Sequence, residues 1–330
     1  MNDKLYVIAA HNNYGGYASR VRLYQEFKEH IDNSGAELWT VESVIGDRCF
    51  EVTSADNPHH IRVRANEELW HKENLWNIGV SRLPLDARYI ATIDADFSFL
   101  NPHWVRDTID ALQTYQVVQM FTHVAYLGPR SEISNYRTGF VAGYNEGKRM
   151  EIGGKVVQKN DVFNPHHRAS DGQAQSDREQ CGGFGPPGAA WAYRREALDK
   201  LGGLIDYCVL GTADFFMALG LIGCMRYRIP QGYHSAMKRR LLDWEHNAIW
   251  ALRQNIGAVN GAVCHHYHGD FKLRYYTTRE EILIKYQFDP DRDICYNSHG
   301  VLRLTDCGET RCHQLRDELR NYFLVRQEGE

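Results

Sequence analysis

Asp94-Ala95-Asp96 lies within the stretch RYIATIDADFSFLNP, Arg88 to Pro102. Tyr89 to Ile93 is short and apolar, as suits a buried strand. Asn101-Pro102 then opens an amphipathic helix from His103 to Leu112. Two carboxylates at the end of a buried strand are costly to bury without partners. In open α/β sheets that position faces the ligand crevice. Carboxylates suit a hard divalent cation, and Mg2+ or Mn2+ often completes its shell with phosphate oxygens. The chemistry expected is therefore that of a metal–diphosphate. The plain structural reading is a strand-end turn with helix-capping acids.

Two further places could carry chemistry. Asp214 begins a helical stretch, Thr212 to Leu221, where an acid is also favoured by the helix dipole alone. His265-His266-Tyr267-His268-Gly269 could supply imidazole ligands. A zinc hydrolase would need three of them and an open position. His265 and His266 are adjacent on a predicted strand, so they point to opposite faces. Cys295 with Cys307-x4-Cys312-His313 could form a small zinc site, but the spacing fits no familiar knuckle.

The elements that must position these residues alternate. Predicted strands are Leu5 to Ala10, Glu37 to Val44, Ile61 to Arg64, the Asp94 strand and Val117 to Thr122. Helices at 19–31, 67–83 and 103–113 fall between them. Such alternation predicts a mostly parallel sheet with helices on both faces, its loops converging on one edge. Residues 128–187 are polar and rich in Gly, Asn, Ser and His. They read as a long insertion with a hairpin at 150–157 around Gly153-Gly154. Beyond it come a strand at 189–193, helices at 195–201, 212–221 and 238–254, a strand at 262–266 and a helix at 278–286. The expected organisation is one domain over 1–289: a nucleotide half to 127, the insertion, and an acceptor half from 188. Residues 290–330 form a polar C-terminal extension with a helix at 314–325.

Composition narrows the class. The 330 residues are 43% hydrophobic and 24% charged, with a formal net charge of -4. That is ordinary for a globular protein and announces neither nucleic acid nor a membrane surface. No apolar run approaches the roughly 18 residues of a membrane span. Residues 1–10 read as a strand rather than a signal peptide, and the eight scattered cysteines read as reduced thiols of a cytoplasmic protein.

Taken in order, these pieces resemble a GT-A fold glycosyltransferase of the family 2 type. The pieces are the turn at His11-Asn12, the acid Glu42, the helix with Lys72-Glu73-Asn74 and Asn77-Ile78-Gly79, and the D-x-D. Gly182 to Gly188 leading into Ala190-Trp191 follows, then Leu201-Gly202-Gly203, Asp214 and the histidine segment. The resemblance covers roughly residues 4–287 and is closest to phage-encoded members, including those that glycosylate hydroxymethylated DNA bases. It implies transfer of a hexose or pentose from a UDP-sugar with inversion, using Mn2+ or Mg2+. Asp96 and His268 would bind the metal. Asp94, Ala95, Glu42, His11, Asn12, Lys72 and Asn77 would hold the donor, and Lys272 and Arg274 would neutralise its diphosphate. Asp214 would be the general base, and Gly188 and Trp191 would line the acceptor site. Where the family usually has an acid pair, this chain has Ala213-Asp214.

The best acceptor on this reading is 5-hydroxymethylcytosine in double-stranded DNA, in a host cytoplasm if the gene is a phage's. Lys238-Arg239-Arg240, Arg194-Arg195 and Arg253 could meet phosphates, which would make binding salt-sensitive. A base within a duplex would have to be flipped out. A glycan, lipid-linked sugar or protein hydroxyl is the alternative acceptor. A nucleotidyltransferase is a second class, although His11 to Gly16 lacks the lysine of a phosphate loop. A non-catalytic DNA- or glycan-binding homologue is the third.

Overall fold

In a computed structural model, residues 3–159, 183–269, 275, 278–306 and 308–326 are described. The strands are β1 (Leu5–Asn12), β2 (Glu37–Ile45), β3 (His60–Ala65), β4 (Tyr89–Ile93), β5 (Phe97–Phe99), β6 (Val117–Gln119), β7 (His123–Leu127), β8 (Ile133–Thr138), β9 (Met150–Ile152), β10 (Lys155–Val157), β11 (Ala190–Arg194), β12 (Ile256–Ala258), β13 (Ala262–His265), β14 (Ile294–Tyr296) and β15 (Leu302–Leu304). The helices are α1 (Ala18–Asp32), α2 (Lys72–Arg82), α3 (Trp104–Thr114), α4 (Phe140–Asn145), α5 (Arg195–Leu201), α6 (Ala213–Leu221), α7 (Ser235–Leu252), α8 (Glu280–Lys285) and α9 (Thr310–Val325).

The main sheet has the order β12-β6-β11-β4-β1-β2-β3. All its pairings are parallel except those of β11, which runs antiparallel to both β4 and β6. This is the expected mixed, mostly parallel α/β architecture. Its two faces follow from alternation along β1. Tyr6 and Ile8 join a core with α2, α5, α6 and α7, while Leu5, Val7 and Ala9 join another with Tyr24 and Phe27 of α1 and Trp104 and Leu112 of α3.

A second sheet, β5-β13-β7-β8, begins where the main one ends. Its parallel pairing is between the neighbours β7 and β13; the pairings of β5 and β8 are antiparallel. The chain leaves β4, turns through Asp94-Ala95-Asp96 and enters β5, so the D-x-D is the hinge between the sheets.

Several expectations need correction. The predicted strand at 117–122 is shorter than expected: β6 ends at Gln119, and a separate strand, β7, begins only at His123. The insertion begins not as loop but as the edge strand β8 and the buried helix α4; the hairpin β9–β10 lies where it was expected. The alternating residues of β8 are polar on both faces, which hid it as a strand. Of residues 128–187, positions 160–182 lie outside the described residues. The C-terminal extension is packed against the domain. Its hairpin β14–β15 sits on the start of α2, where Asn74 accepts from Leu302 N at 3.0 Å and donates to Gly300 O at 3.1 Å. Cys49, Cys208, Cys224, Cys264 and Cys295 are free thiols, but Cys312 is disulfide-bonded, against the expectation of reduced cysteines. No described helix is long and apolar enough to cross a membrane.

Candidate active site

The hinge between the sheets makes the site. Asp94 closes β4, its amide donating to Ala189 O at 2.9 Å. Two residues on, Asp96 O accepts from His266 N at 2.8 Å. The register of β13 on β5 pairs His265 with Phe97, the residue after Asp96. Backbone pairing alone therefore sets an imidazole beside a carboxylate.

Asp96, His265 and His268 form one cluster, their ligand atoms all within 4.8 Å of one another. His268 Nε2 is 2.7 Å from Asp96 Oδ2, and His265 Nε2 is 3.8 Å away. The neighbouring His266 points away, its Nε2 2.9 Å from Ser98 Oγ. Strand alternation thus turns His266 outward, as expected, and turns His265 into the cluster, where the sequence reading did not place it. The signal was present as His265-x-x-His268.

Lys72, the first residue of α2, holds the other carboxylate. Its Nζ lies 3.0 Å from Asp94 Oδ1 and 3.2 Å from Oδ2, and 4.9 Å from the Trp76 ring centre. Burial pulls the Lys72 pKa down, but Asp94, Glu73 and Asp214 outweigh it and the net shift is upward. Burial raises Asp94 to about 6 against the pull of Lys72, with Asp96 adding to the rise. Glu73, also raised by burial, reaches about 7 and accepts from Trp70 Nε1 at 3.0 Å.

Asp214, at the start of α6, lines the same cleft. Its Oδ1 accepts from Phe215 N at 2.8 Å. A Cβ built on Gly188 would lie 2.6 Å from Asp214 Oδ2, so only glycine there lets the carboxylate reach the cleft. Thr212, two residues before Asp214, has φ +78°, an unusual conformation for a β-branched residue. Arg279 steadies it, donating to Thr212 Oγ1 at 2.7 Å.

These groups line a cleft of about 830 Å³ with His11, Asn12, Ala95, Gly188 and Trp70, within the range of ligand-sized sites. Three residues expected there do not line it. Glu42 is fully buried and accepts from the amides of Glu51 at 2.5 Å and Thr53 at 2.8 Å and from Thr53 Oγ1 at 2.6 Å. It anchors its own loop. Asn77 holds Leu204 through both its amide N and O, at 3.0 and 2.9 Å. Trp191 packs beneath Asp214, donating to Pro187 O at 2.7 Å. Lys272 and Arg274 lie outside the described residues.

Most of the basic residues proposed to meet DNA make contacts within the chain. Lys238 donates to Gln231 O at 2.5 Å, Arg239 pairs with Asp291, and Arg240 stacks on Tyr207. Arg194 donates to Leu112 O and Gln113 O, each at 2.6 Å.

No family model and no curated protein matches the sequence. Among solved structures, it is similar to the catalytic domain of Drosophila beta1,4galactosyltransferase 7 in complex with xylobiose, at 10% identity and TM-score 0.38, over 94% of this chain and 98% of that one. It is also similar to mannosyl-3-phosphoglycerate synthase from Rubrobacter xylanophilus, at 12% identity and TM-score 0.38, over 92% and 83%. A third is S. aureus TarS 1-349, at 10% identity and TM-score 0.36, over 75% and 72%.

Proposed function

We propose that the protein is a metal-dependent glycosyltransferase that moves a sugar from a UDP-sugar to an acceptor hydroxyl with inversion. The observation that carries this reading is the meeting of Asp96, His265 and His268 with Lys72–Asp94 and Asp214 around one cleft. They come from four parts of the chain: Lys72, Asp94–Asp96, Asp214 and His265–His268. Together they offer cation ligands, a buried charge pair and a separate carboxylate facing them.

The donor set suits a divalent ion: one carboxylate oxygen and two imidazole nitrogens. Two imidazoles favour Mn2+ over Mg2+, which prefers oxygen ligands. Bound there, a cation would neutralise charge on the leaving diphosphate. The chain's own residues do the rest. Asp94, fixed by Lys72, orients the nucleoside end of the donor. Asp214 hydrogen-bonds the acceptor hydroxyl and takes its proton as the oxygen attacks the anomeric carbon. The new C–O bond forms as the bond to the diphosphate oxygen breaks, and the electron pair leaves with UDP. Attack from the face opposite the leaving group inverts the anomeric centre. Cleft walls that exclude water strengthen each of these charge interactions.

For the acceptor, 5-hydroxymethylcytosine in DNA rests chiefly on the sequence resemblance, because most of the basic residues named for a duplex already have contacts within the chain. A saccharide hydroxyl is the other candidate. Incubation with a panel of UDP-sugars and Mn2+, scored by UDP release, tests the activity. Adding hydroxymethylated duplex DNA or saccharides in separate arms, followed by mass analysis, tests the acceptor. No turnover of any UDP-sugar, alone or with acceptor, would reject the reading.

A further inference from the structure

The cleft has a wall drawn from the far end of the chain. Phe323, Leu324 and Arg326, at the end of α9, line it together with Tyr17 and Trp70. Arg326 is held in three ways. Its backbone carbonyl accepts from the Tyr17 hydroxyl at 3.2 Å. Its guanidinium lies 4.7 Å from the Trp70 ring centre and donates to the Tyr322 hydroxyl at 2.8 Å. It is only 3% exposed. Tyr17 follows the turn after β1, and Trp70 stands two residues before Lys72, so Arg326 sits between the two elements that flank the Asp94 strand end. The Trp70 face offsets part of the cost of burying this charge and holds the guanidinium beside the cleft.

The rest of the C-terminal segment supports the same place. His71 Nε2 is 2.8 Å from Leu302 O and its Nδ1 is 2.7 Å from the Tyr14 hydroxyl, tying β15, the start of α2 and the first turn together. Arg316 of α9 lies 3.7 Å from Glu67, which also accepts from Leu304 N at 3.2 Å. The segment is thus built onto the two elements that would hold a donor.

We propose that Arg326 is a donor-binding residue that contacts the phosphates of the nucleoside diphosphate, and that donor binding and docking of α9 stabilise each other. This rests on the nucleotide-sugar reading above. Guanidinium suits phosphate oxygens through paired, charge-assisted hydrogen bonds. Because linkage is reciprocal, a donor that needs docked α9 must also hold α9 down.

The test is calorimetric titration of full-length protein with UDP and with uridine, in Mn2+. Arg326→Ala should weaken UDP on the order of tenfold or more, from loss of a charged hydrogen bond. Uridine affinity should stay unchanged, and Arg326→Lys should recover part of the loss. UDP should also slow amide exchange across residues 315–326 in wild-type protein and not in folded Arg326→Ala. Unchanged UDP affinity in Arg326→Ala, or equal loss for UDP and uridine, overturns the proposal while leaving the parent reading intact. Failure of wild-type protein to bind UDP with any cation overturns both.

Discussion

Glu42 and Asp96 are both acids toward the carboxyl ends of strands in one mostly parallel sheet, yet they do different work. Glu42 is saturated by its own surroundings: two close backbone amides and the Thr53 hydroxyl close the 51–53 loop over it. Asp96 instead faces two imidazoles brought by β13 from the second sheet. The contrast shows what separates a structural buried acid from a reactive one. A carboxylate whose oxygens are met by local backbone donors stabilises a loop. One met by side chains from distant elements, at the rim of a cleft, is placed for a ligand.

The largest expected effect lies on the cleft side. Asp214→Asn keeps the shape of the base and removes its proton affinity, so kcat should fall about 10²–10⁴-fold. Donor affinity should change far less, because in the proposed mechanism the carboxylate serves the acceptor. Steady-state kinetics alongside UDP titration would check both, and near-normal kcat would remove Asp214 from the chemistry.

Glu42→Gln should have the opposite profile. It turns an acceptor of several N–H and O–H groups into one that must present its own N–H to some of them. A loss of about 3 kcal/mol in unfolding free energy is expected, with kcat of the folded fraction within a few fold of wild type. Denaturant unfolding measures the first. A collapse of kcat with unchanged stability would mean that Glu42 belongs with Asp96.

Glu73 is a third kind of buried acid, and pH separates it from the others. Its carboxyl is raised from 4.5 to about 7 by burial. Between those values the folded chain holds a proton that the unfolded chain has released. Its contribution to stability is therefore full below about pH 4.5 and lost as pH rises toward 7, by about 3 kcal/mol. His71, pulled from 6.5 down to about 4 by burial, works in the other direction and masks the slope in wild-type protein. Glu73→Gln should gain stability relative to wild type by up to that amount between pH 4.5 and 7, measured by urea unfolding across the window. A difference that does not vary with pH would refute it.

His265→Asn sharpens the comparison at the metal. It removes one of two imidazoles but leaves the Asp96–His268 pair. The Mn2+ concentration for half-maximal activity should rise about 10–100-fold, by analogy with loss of supporting metal contacts, with little change at saturating Mn2+. No change in the Mn2+ requirement would exclude His265 from the site.

How much of this could be read beforehand depended on the range of the interactions. Asp94, Asp96, Lys72 and Asp214 belong to short runs whose order resembles that of a family, and the cleft gathers all four. Strand alternation correctly turned His266 away, and the same rule applied to His265 would have found the second imidazole. Glu42 lies off the cleft lining, and strand position does not reveal that the following loop folds back onto it. Asn77 likewise lies off the lining, bonded to Leu204, 127 residues away. Arg326 was hidden most deeply: its contact with Tyr17 spans 309 residues, and nothing local to a polar C-terminal stretch points to a cleft. The main sheet was visible through short apolar runs alternating with helices. The exposed edge strand β8, which is no such run, was not.

The most direct measurement is calorimetric titration of UDP in Mn2+ against wild-type protein, Glu42→Gln and Asp96→Ala, each confirmed as folded by circular dichroism. The cleft described here predicts one UDP site in wild-type protein and in Glu42→Gln, dependent on Mn2+, and loss of that site in Asp96→Ala. Equal UDP affinity in Asp96→Ala and wild type, or UDP binding indifferent to the cation, would contradict it.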